Sequence, residues 1–259
     1  MRDLLVSVRD IAEFEQAIAA KVQIIDFKEP NHGALAAVDP LVWHRASAIV
    51  VAWGGALMHP IGKLRSKHSL LSAALGESED YGKIIDQLPQ TFRFAKVGPS
   101  GIDCPKRLAR LWRDAHHRLA CRNAAAELVP VAYADHQLAG CVAPERIFQL
   151  AAELGFKRCL IDTFEKNGAG SLDLLSFDRF VRLQRIAEAA NMKWSLAGSM
   201  RLESVDLLNS VGIHPDCFAV RGDVCDPDSK IGRRGKLNAA RLKAWVEKVG
   251  LLSSPIQLG

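Results

Sequence analysis

Short apolar runs rich in β-formers recur along the chain, and stretches with helical spacing of apolar residues lie between most of them. The runs are Leu4–Ser7, Gln23–Phe27, Ala48–Trp53, Arg93–Val97, Val129–Tyr133, Arg158–Asp162, Lys193–Ala197 and Phe218–Arg221. Their length and bounding turn residues predict buried strands. Period-3.6 patterns over Ile11–Ala20, Arg107–Ala126, Pro144–Leu154, Phe177–Ala190, Leu202–Val211 and Asn238–Val249 predict helices. Strand alternating with helix implies parallel pairing through right-handed crossovers. Eight such units in this length match a (β/α)8 barrel, a TIM barrel of the class I aldolase-like kind. The whole chain, 1–259, is expected to form one such domain, with its third connection enlarged over about 54–90. Two helical pieces, Arg65–Leu75 and Ser78–Leu88, are expected in that connection.

An open doubly wound sheet is the competing architecture. It is disfavoured because Val8-Arg9-Asp10 follows the first strand where a dinucleotide-binding glycine loop would stand. The stretch Gly55–Lys63 superficially resembles a phosphate loop, but Leu64 occupies the Ser/Thr position that would hold magnesium.

Composition narrows the function classes. Hydrophobic residues make up 49% of the chain, enough for a large core. The balance of 34 basic against 29 acidic residues gives +5, well short of a nucleic-acid coat. No uncharged apolar run approaches the roughly 18 residues that span a bilayer, and Asp3 and Asp10 interrupt any signal-peptide core. The six cysteines are scattered without a C-x-x-C pair, so they read as reduced core thiols. The expectation is a cytoplasmic protein that contacts neither membrane nor nucleic acid, with a homo-oligomer left open. Basic charge is concentrated in Lys106–Arg122 and in Ser229–Lys248. The first reads as the solvated face of a helix. The second follows the last strand, where excess positive charge attracts small anions.

In a barrel of this kind, chemistry gathers at the C-terminal ends of the strands. The second strand ends Asp26-Phe27-Lys28, and period-two alternation puts Asp26 and Lys28 on one face. The fourth ends on Lys96, the sixth on Asp162, and Lys166 follows in the next loop. Crowding and partial desolvation lower a lysine's pKa, and a neutral amine attacks carbonyls to form a Schiff base. The set Lys28, Asp26, Lys96, Asp162 and Lys166 therefore predicts imine-forming carbonyl chemistry. Gly198-Ser199 and Arg221-Gly222-Asp223 end the last two strands, where loops of this fold often bind phosphate. Those five residues are the candidate substrate-phosphate site.

Other groupings are weaker. His116 and His117 are adjacent on a helix and diverge by about 100°. A Ser7–Asp135–His136 triad lacks a nucleophile elbow. Tyr133 and Asp135 end the fifth strand and are expected to line the mouth.

The segments LLVS, IIDFKEPNHGALAA, AKVG, AYAD, LIDTFEKNG, SLAGS and VRGDVC, in that order along nearly the whole chain, resemble the (5-formylfuran-3-yl)methyl phosphate synthases of methanofuran biosynthesis. The D-x-K-x-P-x-x-G-x-L stretch from Asp26 and the D-T-x-x-K-x-G stretch from Asp162 are the specific ones. The resemblance implies condensation of two glyceraldehyde 3-phosphate molecules with loss of phosphate and water. It also implies that Lys28 is the Schiff-base lysine, that Asp26, Lys96, Asp162 and Lys166 are its acid–base and charge-stabilising partners, and that neither metal nor organic cofactor takes part. The family ends strand three with a polar Ser-Ala-Thr-type segment followed by Gly-Asp, whereas Val51-Ala52-Trp53-Gly54-Gly55 stands at the position expected for it here. Two other readings remain at this point. One is a different Schiff-base sugar-phosphate aldolase; the other is an inactive barrel that binds acidic partners through Lys106–Arg122.

Overall fold

The computed structural model describes residues 2–56, 69–166, 168–227 and 231–252. Its strands are β1 (Asp3–Val8), β2 (Ile24–Phe27), β3 (Leu70–Ala74), β4 (Phe92–Lys96), β5 (Glu127–Leu128), β6 (Val131–Tyr133), β7 (Arg158–Asp162), β8 (Lys193–Leu196) and β9 (Cys217–Val220). The helices are α1 (Ile11–Ala19), α2 (Pro40–Ala56), α3 (Pro105–Arg122), α4 (Pro144–Glu153), α5 (Ser171–Leu174), α6 (Phe177–Ala189), α7 (Ser204–Ser210) and α8 (Ala239–Leu251). Every strand pairing is parallel, in the order β5-β4-β3-β2-β1-β9-β8-β7-β6.

The two ends of that order belong to one stretch of chain. β5 and β6 are separated only by Val129 and Pro130, and proline has no N–H to give to a ladder. Val129 N–H still donates to the Ala95 carbonyl at 2.8 Å, and Leu160 N–H donates to the Pro130 carbonyl at 2.9 Å. The segment thus pairs with β4 on one side and β7 on the other, and it closes an eight-stranded (β/α)8 barrel.

Alternation along the strands sorts side chains into two sets. Phe27, Ala95, Ala132, Ile161, Leu196 and Phe218 face outward and pack under the helices, whereas Leu5, Ile24, Phe94, Val131, Leu160 and Cys217 fill the interior. Above that apolar floor the same inward positions become polar. Ser7, Asp26 and Ser72 lie side by side in register across β1, β2 and β3, and Tyr133 lies beside Asp162 across β6 and β7.

The third strand is not where the apolar run at Ala48–Trp53 predicts it. That run belongs to α2, and β3 is Leu70–Ala74. Buried Trp43 and Ala46, with half-buried Val42, Ile49 and Val50, carry helical spacing, whereas Val51 is 61% exposed. The helix also has a proper start, since Asp39 accepts the Leu41 N–H at 2.8 Å and Pro40 takes the first helical position. The β-branched triplet Ile49-Val50-Val51 masked a signal already present in Asp39-Pro40. The polar strand-three end is then Ser72-Ala73-Ala74, followed by Gly76-Glu77. The enlarged connection precedes β3 and does not follow it. Of the helical piece expected at Arg65–Leu75, residues 65–68 lie outside the described residues and 70–74 are strand. Ser78–Leu88 holds two short 3-10 turns, Tyr81–Lys83 and Ile85–Gln87.

On α3 the buried residues Leu108, Leu111, Trp112, Ala115 and Leu119 form one face, and Lys106, Arg107, Arg110 and Arg113 are exposed. No helix among the described residues is long and apolar enough to cross a membrane.

The placement of α2 is testable. Trp43 is fully buried and its ring lies 6.2 Å from that of Phe92. Trp43→Ala is expected to destabilise the protein by about 3–5 kcal/mol. Leu41→Ala, at a position 64% exposed, is expected to change stability by less than about 0.5 kcal/mol. Urea unfolding of both variants checks this, and equal losses would contradict a helix with one buried face.

Candidate active site

At the C-terminal mouth of the barrel, the inward positions of three strands bring five ionisable groups together. Asp26 and Lys28 come from the end of β2, Lys96 from β4, Asp162 from β7, and Lys166 from the loop after β7. Asp26, Lys28, Lys96 and Asp162 are all buried. Lys96 Nζ lies 2.5 Å from Asp26 Oδ1, and Ser7 Oγ donates to Asp26 Oδ2 at 3.3 Å. Lys166 Nζ lies 2.9 Å from Asp162 Oδ1 and also donates to Thr163 Oγ1 at 2.8 Å and to the Thr163 carbonyl. Lys28 Nζ lies between these pairs, and its contact with Asp162 Oδ2 is the loosest of the set, at 3.6 Å.

Electrostatics follow from that crowding. Burial pushes the Lys96 ammonium below its ordinary pKa. Asp26 opposes the shift and the charge on Lys28 adds to it. Lys166 is lowered in the same way, by burial first, with Asp162 opposing and Lys28 adding to the shift. Burial alone would raise Asp162, but Lys166, Lys28 and the Thr163 N–H together hold its carboxyl far below the carboxylate range. The groups line one pocket, with a cavity volume of about 80 Å³.

The opposite wall is built by the loops after β8 and β9. Gly198 has φ +87°, and a Cβ there would stand 2.2 Å from Ser171 Oγ and 2.9 Å from Thr163 Cγ2. Only glycine satisfies both the backbone and the space. Ser199 follows at φ +54°, an uncommon conformation for a residue with a side chain. Gly198, Ser199, Arg221 and Gly222 all line the pocket.

Two members of the expected phosphate site have other work. The five guanidinium N–H groups of Arg221 are all engaged: Nε donates to the Arg233 carbonyl, Nη1 to the Ser7 carbonyl and Glu13, and Nη2 to Glu13 and the Gly235 carbonyl. Arg221 is thus a buried strut, ion-paired to Glu13 at 2.5 Å. Asp223 accepts from Leu202 N–H and Trp245 Nε1 and pairs with Arg241, and it does not line the pocket. Its carboxylate ties α8 to the loop after β8.

Arg233, by contrast, lines the pocket and was visible in the sequence only as part of the basic stretch after the last strand. Glu77 was also missed, because the third strand was misplaced. Tyr133 OH donates to Glu77 Oε1 at 2.6 Å, and Glu77 Oε2 accepts the Ser100 N–H at 3.2 Å. Burial raises the Glu77 carboxyl, and burial followed by the Glu77 charge raises the Tyr133 phenol. Asp135 is occupied by the N–H groups of Phe164 and Glu165, and Ser7 by Asp26, so the paper triad is not assembled.

A sequence model of the 4-HFC-P synthase family matches residues 4–246. The (5-formylfuran-3-yl)methyl phosphate synthase of Methanococcus maripaludis strain S2 is 28% identical over 244 residues, covering 93% of this chain and 94% of that protein. A protein curated as a putative (5-formylfuran-3-yl)methyl phosphate synthase from Streptomyces griseus is also 28% identical, covering 89% and 88%. Among solved structures, phosphoribosyl anthranilate isomerase from Thermus thermophilus matches with a TM-score of 0.57 at 13% identity, covering 97% of this chain and 100% of that one. Thiamine phosphate pyrophosphorylase from Pyrococcus furiosus matches at 0.58 and 9%, covering 98% and 97%. At such identities the structural likeness concerns the barrel fold alone.

The charge balance predicts an acid-sensitive stability. Asp162→Asn leaves Lys28 and Lys166 without their shared counter-charge, which costs about 3 kcal/mol near neutral pH. A depressed carboxyl contributes stability that is complete above its unfolded pKa and is lost as pH falls toward the folded value. The gap between wild type and variant is therefore expected to narrow progressively below about pH 4. Urea unfolding at stepped pH measures the gap, and one that stayed constant from neutrality to pH 2 would refute the assignment.

Proposed function

The chain belongs to the 4-HFC-P synthase family, and from that premise we propose that it is a (5-formylfuran-3-yl)methyl phosphate synthase working through a lysine imine. Two molecules of glyceraldehyde 3-phosphate, one first isomerised to the ketone level, supply all six carbons of the product, four in the furan ring and two in its substituents. One phosphate and two waters leave, so atoms balance without an oxidant or a reductant. The observation that carries this reading is the Lys28 amine, set between the Lys96–Asp26 and Lys166–Asp162 pairs and held by the loosest contact among them.

In the proposed sequence, Lys28 attacks the aldehyde carbonyl of one triose phosphate, and the carbinolamine loses water to give a protonated imine. Loss of the adjacent carbon-bound proton expels phosphate from the next carbon, and the enol so formed attacks the ketone carbon of the second triose, as the branched skeleton of a 3,5-substituted furan requires. A hydroxyl of that second triose closes the ring on the carbonyl beside the imine, two waters leave as the ring aromatises, and one water hydrolyses the imine to free the aldehyde and Lys28. Asp162 stays ionised at all working pH values, so it orients Lys28 and stabilises the imine charge but is a poor proton store. Lys96 and Lys166, whose ammonium groups are made more acidic by burial, are better matched to proton transfer. Asp26 holds Lys96 in place. The backbone of Gly198, Ser199 and Gly222 supplies the wall for a phosphate group. A pocket in which Lys28, Lys96, Lys166 and Arg233 outnumber Asp26 and Asp162 suits a doubly charged phosphate ester.

Borohydride reduction with glyceraldehyde 3-phosphate, followed by peptide mass mapping, is expected to mark Lys28. An adduct confined to Lys96 or Lys166 would overturn the role given to Lys28. Lys28→Ala is expected to lower furan formation, followed by near-ultraviolet absorption, by roughly a thousandfold or more with the circular dichroism unchanged. Turnover like the wild type in that variant would end the imine reading.

A further inference from the structure

The loop after β9 holds two arginines at the pocket in opposite circumstances. Arg221 is saturated by Glu13 and by backbone carbonyls. Through its Nε it fixes the backbone of Arg233, whose carbonyl also accepts from Cys225 Sγ at 3.8 Å. Arg233 therefore starts from a rigid base and extends into the pocket that Lys28, Asp162, Lys166, Gly198, Ser199 and Gly222 line. Gly222 faces its root, since a Cβ there would come 3.7 Å from Arg233 Cβ.

We infer that Arg233 is the residue that grips the phosphate of the substrate and selects phosphorylated over unphosphorylated carbonyl compounds, a role that rests on the synthase activity proposed above. Its guanidinium is half-buried, and among the described residues no carboxylate lies within ion-pair distance of it. Its hydrogen bonds there run through Nη2 alone, to the carbonyls of Pro30 at 2.6 Å and Gly33 at 3.3 Å. Those carbonyls lie in the loop that begins directly after Lys28, so one side chain bridges the loops after β9 and β2 across the mouth. Carbonyl dipoles orient the guanidinium without neutralising it. Asp162 and Glu29 act on it only from beyond ion-pair distance, and a cation held partly out of water without a directly paired carboxylate is costly, a cost that an anionic ligand offsets. The remaining N–H groups of a guanidinium form a fork that matches phosphate oxygens in pairs, which an ammonium does not. On the loop after β8, which lines the same pocket, the Gly198 and Ser199 amides, in consecutive left-handed conformations, donate to no backbone carbonyl among the described residues. Phosphate held between the arginine fork and those amides would neutralise the surplus positive charge of the chamber.

Two variants and two readouts test this. Inorganic phosphate, titrated by calorimetry into the folded protein, is expected to bind Arg233→Gln about tenfold to a hundredfold more weakly than wild type. Arg233→Lys keeps the charge but loses the fork, and is expected to fall between the two. In borohydride trapping, the preference for glyceraldehyde 3-phosphate over glyceraldehyde is expected to drop by a similar factor in Arg233→Gln. An unchanged phosphate affinity in either variant overturns the role of Arg233, whatever trapping shows. If Arg233→Gln does not fold, the affinity of Arg233→Lys decides alone. Phosphate binding that depends on Arg233, in a wild-type protein that forms no adduct with any triose, upholds the phosphate site and refutes the imine chemistry instead.

Discussion

Two carboxylates hold three lysine amines inside the mouth of this barrel, and the site depends on that sharing. Asp162 serves Lys166 at 2.9 Å and Lys28 at 3.6 Å, while Asp26 serves Lys96 at 2.5 Å. Isolated buried ammonium groups would shed their protons or disrupt the fold. Paired fully, one carboxylate to each lysine, they would be fixed salts with little reactivity. With two anions for three cations, burial lowers Lys96 and Lys166 while Lys28 keeps a loose contact. The same shortage of negative charge makes the chamber receptive to a phosphate ester.

The scaffold around the chamber is built to keep that arrangement in place. Glu13, reaching in from α1, and Arg221, at the end of β9, form a separate buried ion pair behind the pocket wall. Because every Arg221 N–H is engaged, this pair contributes rigidity and not ligand binding. The absence of a side chain at Gly198 lets the loop after β8 lie against Thr163 and Ser171, bringing its amides beside the lysine cluster. On the far side, Gly98 leaves room for the Glu77 carboxylate that receives the Tyr133 hydroxyl.

The sequence was legible where period-two alternation meets charged residues. Asp26 and Lys28 on one face of β2, Lys96 at the end of β4 and Asp162 at the end of β7 could be placed at the mouth from pattern alone. It was misleading at Ala48–Trp53, where a β-branched run inside a helix imitates a buried strand, and that error hid Glu77 as a strand-end residue. Arg221 and Asp223 also read as ligand groups because they end a strand. Residue type and strand position do not reveal whether a charged side chain points to the ligand or is consumed by a neighbour.

By itself the sequence determined the barrel, its eightfold alternation, and which strands carry ionisable groups inward at their C-terminal ends. These depend on local spacing, and spacing is written along the chain. The tertiary structure alone decided how those groups divide one another's charge. Glu13 lies 208 positions from the arginine it saturates, and Pro30 and Gly33 lie 203 and 200 positions from Arg233. Contacts between residues so far apart leave no local periodicity. Which arginine became a strut and which stayed open to an anion was therefore settled only when the barrel closed.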